Sequence, residues 1–125
     1  MTFRTRVLPN TAGGGFGLSA YLLDAPPDLA FGIKEGVYYG EIKKGKKEIF
    51  HGLFYYGAIP TLGVKDKHLE FLAIDLGASY IGIDEILECT IKQYLHEVRT
   101  YDLVDYLVRD TEIDKQTVIT KYMYI

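Results

Sequence analysis

Alternating apolar and polar positions predict β-strands over the first two thirds of the chain. Residues 16–23 repeat with a period of two, which is typical of a strand. Residues 37–43 and 48–56 are rich in β-branched and aromatic residues and flank a Lys-Gly-Lys turn, so they predict a hairpin. Residues 68–76 and 80–83 are two further candidate strands. Both faces of the 48–56 strand carry apolar side chains, so we expect each face to be covered by the protein itself or by a partner.

The spacing of apolar residues changes after residue 84 and predicts helices. Asp84 is a suitable N-terminal cap, and the apolar residues of 84–98 recur at helical spacing. These residues are Leu87, Ile91, Tyr94, Leu95 and Val98. A shorter helix is predicted at 100–108, and β-branched and aromatic residues predict a terminal strand at 118–125. The predicted fold class is α+β: an antiparallel β-sheet of about five to seven strands, one long and one short helix near the C-terminus, and a final β-strand.

The composition is that of an ordinary soluble globular domain. Of the 125 residues, 48% are hydrophobic and 25% are charged, which argues against disorder and suits one domain spanning residues 1–125. No apolar run approaches about 18 residues, so no membrane span is expected. The N-terminus has no apolar stretch of signal-peptide length, and a single cysteine cannot form an internal disulfide. We therefore expect a cytoplasmic protein.

Charge is unevenly distributed along the sequence. Residues 34–67 carry seven lysines against four acids, net +3, whereas residues 68–125 carry five basic residues against eleven acids, net −6. A basic and an acidic region on one domain favour head-to-tail association between copies. The lysines at 43–47 also suit a solvated hairpin turn, which needs no partner.

The histidines, the cysteine and the glycine-rich segment do not match known metal, catalytic or cofactor motifs. His51, His68 and His96 are too widely spaced to act as paired metal ligands, so no metal is expected. Cys89 lies two turns from His96 on the predicted helix, which is too far for a thiol–imidazole pair. The glycine-rich segment at 13–17 lacks the spacing of the phosphate-binding fingerprints, and no cofactor is expected.

The carboxylates and serines also fail to predict a catalytic site. Glu70 and Asp75 lie five residues apart on a predicted strand, so they point to opposite faces and cannot share a site. The two serines, Ser19 and Ser79, lack a nucleophile-elbow sequence around them. We therefore expect no catalytic residues and no enzymatic activity.

Two short segments resemble known motifs. Tyr39-Gly40-Glu41, Lys44-Gly45-Lys46 and Gly52-Leu53-Phe54-Tyr55 together resemble a single MORN-type hairpin repeat, and this resemblance implies a hairpin. Val108–Val118 is similar to the turn of a helix-turn-helix motif, with Glu112 at the glycine position. That resemblance implies a recognition helix carrying Lys115, Gln116, Thr117, Thr120 and Lys121. Residues 90–125 carry five cations and six acids, however, which disfavours contacts with nucleic-acid phosphates.

The most distinctive remaining feature is the concentration of aromatic residues on the hairpin. Tyrosine and phenylalanine are enriched at the centres of protein interfaces. The predicted partner-binding residues are Tyr38, Tyr39, Lys46, Lys47, Phe54, Tyr55 and Tyr56. We expect a non-enzymatic interaction or assembly domain that binds itself, as a homo-oligomer, or another protein. The alternatives are a small-molecule-binding domain with a Tyr-lined pocket and a DNA-binding regulator that uses the C-terminal segment.

Overall fold

The computed structural model describes residues 1–9, 20–59, 64–77, 79 and 81–123. These residues form six strands: β1 (Thr2–Leu8), β2 (Tyr21–Leu23), β3 (Gly36–Lys44), β4 (Glu48–Ile59), β5 (Val64–Ala73) and β6 (Ile86–His96). A one-turn helix, α1 (Leu29–Gly32), precedes β3. A longer helix, α2 (Val104–Val118), follows β6 and continues into a π-helical turn at Ile119–Met123.

The six strands close into an antiparallel barrel in the order β1-β2-β5-β4-β3-β6. Closure is made by the first and last strands, since Thr2–Arg6 of β1 pair with Ile86–Thr90 of β6. The predicted antiparallel sheet and a C-terminal helix are thus confirmed. Strand β1 and the closure of the sheet on itself were not predicted from the sequence.

The barrel interior is filled by aromatic and aliphatic side chains that alternate along the strands. Phe54 and Phe71 meet at its centre with ring centroids 4.8 Å apart, and both are fully buried. Gly40 and Gly52, which are paired across β3 and β4, leave room for these rings. A Cβ on Gly40 would lie 2.6 Å from Phe54 Cε2, and one on Gly52 would lie 2.8 Å from Phe71 Cζ. Only glycine fits at these two interior positions.

A second apolar cluster lies on the outward side of the barrel wall, where α2 covers it. The cluster consists of Ala20, Val37, Tyr39, Leu53, Tyr55, Leu72 and Val118. The last of these belongs to α2, and the ring of Tyr122 just beyond α2 stacks on Tyr39 with centroids 4.5 Å apart. Strands β3, β4 and β5 are therefore buried on both faces, which explains their two-sided apolar pattern.

The predicted helix at 84–98 is wrong, because this segment is mainly strand β6. Leu87, Cys89 and Ile91 alternate into the barrel with a period of two. Beyond Ile91 the pairing with β3 has two irregularities, at each of which β6 contributes one extra residue. These bulges change which face the later residues take, and the resulting apolar spacing resembles that of a helix. Asp84, the predicted cap, instead adopts a left-handed conformation with φ 67° in the turn before β6.

The predicted terminal strand at 118–125 is also wrong over its described part. Val118 ends α2 and residues 119–123 form the π-helical turn. Packing of Val118 and Tyr122 on the barrel wall outweighs the strand preference of the local sequence. The short helix predicted at 100–108 overlaps α2, which begins later and is longer.

The other strand predictions are correct to different extents. The hairpin at 37–43 and 48–56 matches β3 and β4, and the 68–76 strand overlaps β5. Within 16–23, residues 16–19 lie outside the described part of the chain, and the remainder contains the short β2. Residues 81–83 of the predicted 80–83 strand are not in a strand. None of the described helices is long and apolar enough to cross a membrane.

Candidate functional site

Glu70 is a carboxylate buried in the outward face of the barrel wall. It lies in β5, directly opposite Tyr55 of β4 and Leu22 of β2, and is 2% exposed. Its sequence neighbours Leu69 and Phe71 fill the barrel interior, so strand alternation directs Glu70 outward. Of the described acidic residues, Glu70 alone is buried. Because burying a carboxylate is costly, such a position is more typical of a functional site than of a structural one.

Tyr55 lies beside Glu70 and presents a protonated hydroxyl. The side chain is buried, and its hydroxyl donates a hydrogen bond to the carbonyl oxygen of Ala58. Burial raises the pKa of Tyr55 well above its ordinary value of 10.0, and the negative charges of Glu70 and Glu35 raise it further. The hydroxyl therefore keeps its proton at neutral pH next to the buried carboxylate.

A small cavity lies between this part of the barrel and α2. It is lined by Val37, Tyr55, His96, Arg99, Tyr101, Leu107, Thr111 and Asp114. Strands β3 and β4 supply one wall, α2 supplies the opposite wall, and the loop after β6 closes the space between them. The cavity has a volume of about 10 Å³, which is room for about one water molecule, and most of its lining side chains are polar or charged.

Asp110 fastens the loop after β6 to α2. Arg99 Nη1 lies 2.7 Å from Asp110 Oδ2, and the Tyr101 hydroxyl donates to the same oxygen. Burial alone would raise the pKa of Asp110, but the hydrogen bonds from Tyr101 and Arg99 outweigh it and lower that pKa. Burial and the bond to Asp110 raise the pKa of Tyr101. The carboxylate is thus anionic and the phenol protonated at neutral pH.

His96, Asp110 and Asp114 form a compact cluster with ligand-type atoms, all within 4.8 Å of one another. The cluster does not fit a divalent cation, since its groups already bind one another and the neighbouring cation. His96 Nε2 lies 2.7 Å from Asp114 Oδ2, and the Arg99 guanidinium occupies the coordinating side of Asp110. A hard cation such as Mg²⁺ needs open oxygen ligands, and it would be repelled by Arg99.

The structure buries the aromatic residues that were predicted to contact a partner. Tyr38, Phe54 and Tyr56 lie in the barrel interior, and Tyr39 and Tyr55 lie under α2; all five are at most 6% exposed. They therefore form no exposed aromatic patch on the hairpin. Lys46 and Lys47 are exposed at the β3–β4 turn, and their assignment to partner contact stays a prediction. The MORN-type resemblance corresponds to this hairpin.

Cys89 lies inside the barrel rather than on the outer side of a helix. Its side chain is fully buried, and burial together with nearby Glu88 raises its pKa to about 12. The thiol is thus neither accessible nor ionised at neutral pH. Of the histidines, His96 pairs with Asp114, and His51 lies 2.8 Å from Asp75 at the end of β5.

The segment that resembles a helix-turn-helix contains no turn. Val108–Val118 lies within the unbroken helix α2, so the two-helix arrangement needed for a recognition helix is not formed there. Val118 is buried against the barrel, and Thr111 faces the cavity. This segment packs on the barrel wall as part of one helix and does not form the recognition helix of a helix-turn-helix motif.

From the sequence alone, Glu70 was considered only as a pair with Asp75 and was not identified as a candidate site residue. One sequence signal was available: Glu70 is an acidic residue within the apolar stretch formed by Leu69, Phe71, Leu72 and Ala73. Its burial follows from β2 and β4 on its two sides. The pairing of β5 with β2 is not visible in the local sequence pattern. His96, Arg99 and Tyr101 were likewise not grouped, since His96 and Tyr101 were assigned to two different helices and Arg99 to the position between them.

Comparisons with solved structures support the fold. The chain resembles a macrolide-efflux protein from Streptococcus pneumoniae, with a TM-score of 0.70, 17% identity and coverage of 97% of this chain and 38% of that one. It also resembles the riboflavin kinase from Trypanosoma brucei, with a TM-score of 0.60, 11% identity and coverage of 98% and 81%. The chain therefore spans little more than a third of the first of these proteins. No curated protein sequence matches it.

A family model described as "Flavokinase: Riboflavin kinase" matches residues 12–122. This match covers all six strands except β1, and it includes α2 and the cavity residues. It overturns the expectation of a non-enzymatic interaction or assembly domain, because the family is one of enzymes that act on a small molecule. The alternative of a small-molecule-binding domain was closer to this finding. The chain belongs to the riboflavin kinase family.

Proposed function

We propose that this protein transfers a phosphoryl group from a nucleoside triphosphate to a hydroxyl group on the ribityl chain of riboflavin. The family match supplies the substrate class, and the placement of Glu70 is the observation that supports chemistry at this site. Phosphoryl transfer to an alcohol needs a group that accepts the hydroxyl proton as the new P–O bond forms. Among the residues that the structure describes, Glu70 is the buried carboxylate, and a carboxylate can accept this proton.

In this proposal Glu70 is the general base, and Tyr55 is the neutral side chain that lies beside it. The riboflavin hydroxyl attacks the terminal phosphorus, its proton passes to Glu70, and the nucleoside diphosphate leaves with the bonding electrons. Tyr55, directly opposite Glu70, remains protonated and is held by Ala58. A carboxylate fixed between β2 and β4 has little freedom to move, so it is preorganised for the acceptor hydroxyl.

Kinases also use a divalent cation on the phosphates of the donor. The cluster of His96, Asp110 and Asp114 does not fit this ion, for the reasons given above. No step of the proposal uses that cluster.

Conversion of riboflavin to its phosphate by the purified protein, followed by chromatography with flavin fluorescence, tests the activity directly. Glu70→Gln keeps the shape of the side chain but cannot accept the proton. We expect it to lower kcat by about 10²- to 10⁴-fold, the usual contribution of a general base. Riboflavin binding, followed by quenching of flavin fluorescence, should change little in this variant.

Glu112→Gln is the matched control. Glu112 lies on α2, is exposed and pairs only loosely with Lys115, 3.4 Å away. It should retain wild-type kcat. A wild-type protein that binds riboflavin but forms no phosphorylated flavin would refute phosphoryl transfer. Equal kcat values for Glu70→Gln and Glu112→Gln would instead refute the role of Glu70 alone.

A further inference from the structure

Both ring nitrogens of His96 face oxygen acceptors. Nδ1 lies 2.7 Å from the carbonyl oxygen of Glu97, and Nε2 lies 2.7 Å from Oδ2 of Asp114. A neutral imidazole carries a proton on one nitrogen only, so it cannot donate to both acceptors. The geometry therefore requires the doubly protonated, cationic form of His96. The His96 and Asp114 side chains are each only 13% exposed, which strengthens their attraction.

The titratable groups around His96 come from three elements, and two of the three charged groups are acidic. Helix α2 contributes Asp114 and Asp110, and the loop after β6 contributes the guanidinium of Arg99. Strand β4 contributes Tyr55, whose hydroxyl stays protonated, and Tyr101 on the loop is also protonated. Strand β3 presents the apolar Val37. If His96 loses its charge, two carboxylates face a single remaining cation.

His96 joins the end of the barrel wall to a helix with few other anchors. It is the last residue of β6, and Asp114 lies in the third turn of α2. The buried residues of α2 are Leu107, Thr111 and Val118. With so few buried positions, a charge-assisted bond at the middle of the helix is a substantial part of its attachment.

We propose that His96 is a proton-controlled latch that fastens α2 to the barrel and loosens it as the pH rises. In the protonated state both hydrogen bonds form and the acidic face of α2 is neutralised. Loss of the proton places a nitrogen lone pair against either the Glu97 carbonyl or the Asp114 carboxylate, so the ring can no longer satisfy both. A looser α2 exposes the cavity beside Tyr55. This inference concerns the protein without substrate and does not depend on the proposed activity.

The direction of the pH effect follows from the folded state. The hydrogen bond to Asp114, helped by that to Glu97 and opposed by burial, raises the pKa of His96 above its ordinary value of 6.5. A group whose pKa is raised by folding contributes its full stabilisation to the folded state at pH values below its ordinary pKa. This stabilisation is lost as the pH rises through the pKa that the group has in the folded protein. The latch is therefore closed below the ordinary pKa of histidine and opens as the pH rises through the raised pKa of His96 in the folded protein.

Nuclear magnetic resonance of the ligand-free protein between about pH 5.5 and about pH 8.5 tests the latch. The imidazole signals of His96 give its titration midpoint, and the backbone amides of residues 104–118 report the state of α2. We expect both sets of signals to change with the same midpoint. Amide protection in α2, corrected for the intrinsic pH dependence of exchange, should fall several-fold across that midpoint.

Two variants separate the latch from a purely structural role. Asp114→Asn should move the His96 midpoint down towards the ordinary value, and the α2 transition should move with it. His96→Gln should abolish the transition and leave α2 loosely protected at every pH, while His68→Gln on β5 should behave as the wild type. If His96 titrates without any response in α2, or if the response survives in His96→Gln, the proposal is wrong. If His96→Gln fails to fold, Asp114→Asn remains as the test. The proposal then stands if the His96 titration midpoint and the midpoint of the α2 transition shift together in this variant, and it is wrong if they do not.

Discussion

Gly52→Ala is expected to destabilise the barrel more than any other single methyl group added to the hairpin strands. The new Cβ would overlap the carbonyl oxygen of Leu72 and lie 2.8 Å from Cζ of Phe71. The first of these atoms belongs to the backbone of β5, so no rotamer change relieves the overlap. Strands β4 and β5 must separate around the pairs Gly52–Ala73 and Leu53–Leu72.

The expected change in the free energy of unfolding for Gly52→Ala combines three effects. Overpacking of a well-filled core costs about 1–3 kcal/mol. Weakening the neighbouring ladder hydrogen bonds costs about 1 kcal/mol for each bond lost. Replacing glycine stiffens the unfolded chain and returns about 0.4–1 kcal/mol. We therefore expect the free energy of unfolding to fall by about 3 kcal/mol, which corresponds to a drop in Tm of about 10 °C for a domain of this length.

Gly45→Ala is the control that separates crowding from backbone strain. Gly45 has a φ of 66° in the β3–β4 turn, and a Cβ there meets nothing within 4 Å. Its substitution should cost only about 1 kcal/mol, from the left-handed conformation. Urea unfolding followed by far-ultraviolet circular dichroism measures both variants. A smaller loss for Gly52→Ala than for Gly45→Ala would mean that β4 and β5 do not approach as closely as described.

Three further outcomes are expected. Cys89, with its pKa raised to about 12 inside the barrel, should resist a thiol reagent in the native protein and react fully in denaturant; fast native labelling would contradict its burial. Folding lowers the pKa of Asp110, so this carboxylate stabilises the protein at pH values above its ordinary pKa of 3.8, and the stabilisation is lost as the pH falls through the lowered pKa. The variant Asp110→Asn should therefore show a smaller fall in Tm at acidic pH than the wild type, whereas the control Asp102→Asn should not. Tyr122→Leu should lower the free energy of unfolding by about 1 kcal/mol through loss of its stack on Tyr39, and no loss in urea titrations would show that the C-terminal turn is not held there.

Local sequence patterns predicted the parts of the fold that local pairing determines. The β3–β4 hairpin was recoverable because Gly45 sits in a tight turn between two strands of matching character. The failure at β6 has a definite cause: Lys92 and Leu95 are the extra residues at two bulges, and they break the period of two. A bulge depends on the partner strand, so the sequence of β6 alone could not reveal it.

The candidate site was less predictable than the fold because it is assembled from distant segments. Glu70 comes from β5, Tyr55 from β4, and Asp114 and Asp110 from α2, and none of these stands in a recognisable motif. The many aromatic residues of the hairpin did indicate an apolar contact surface, but the prediction placed these side chains on the outside of the protein. A closed barrel with a helix on its wall supplies two separate interiors, and together they accommodate Tyr38, Phe54 and the other hairpin aromatics.

The closure between β1 and β6 also constrains how the chain reaches its native state. The amino group of Met1 binds the carbonyl oxygen of Ile91, and the amide of Ile91 binds the carbonyl oxygen of Met1. Strand β1 therefore waits for β6, which follows it by about 85 residues, a delay of roughly 5–20 s at the usual elongation rates of about 5–20 residues per second. During that time β1 has only the three-residue β2 as a neighbour. Closure of the barrel should accordingly be slow, on the millisecond-to-second scale of proteins dominated by distant pairings, and truncation before Ile91 should yield an open sheet prone to aggregation.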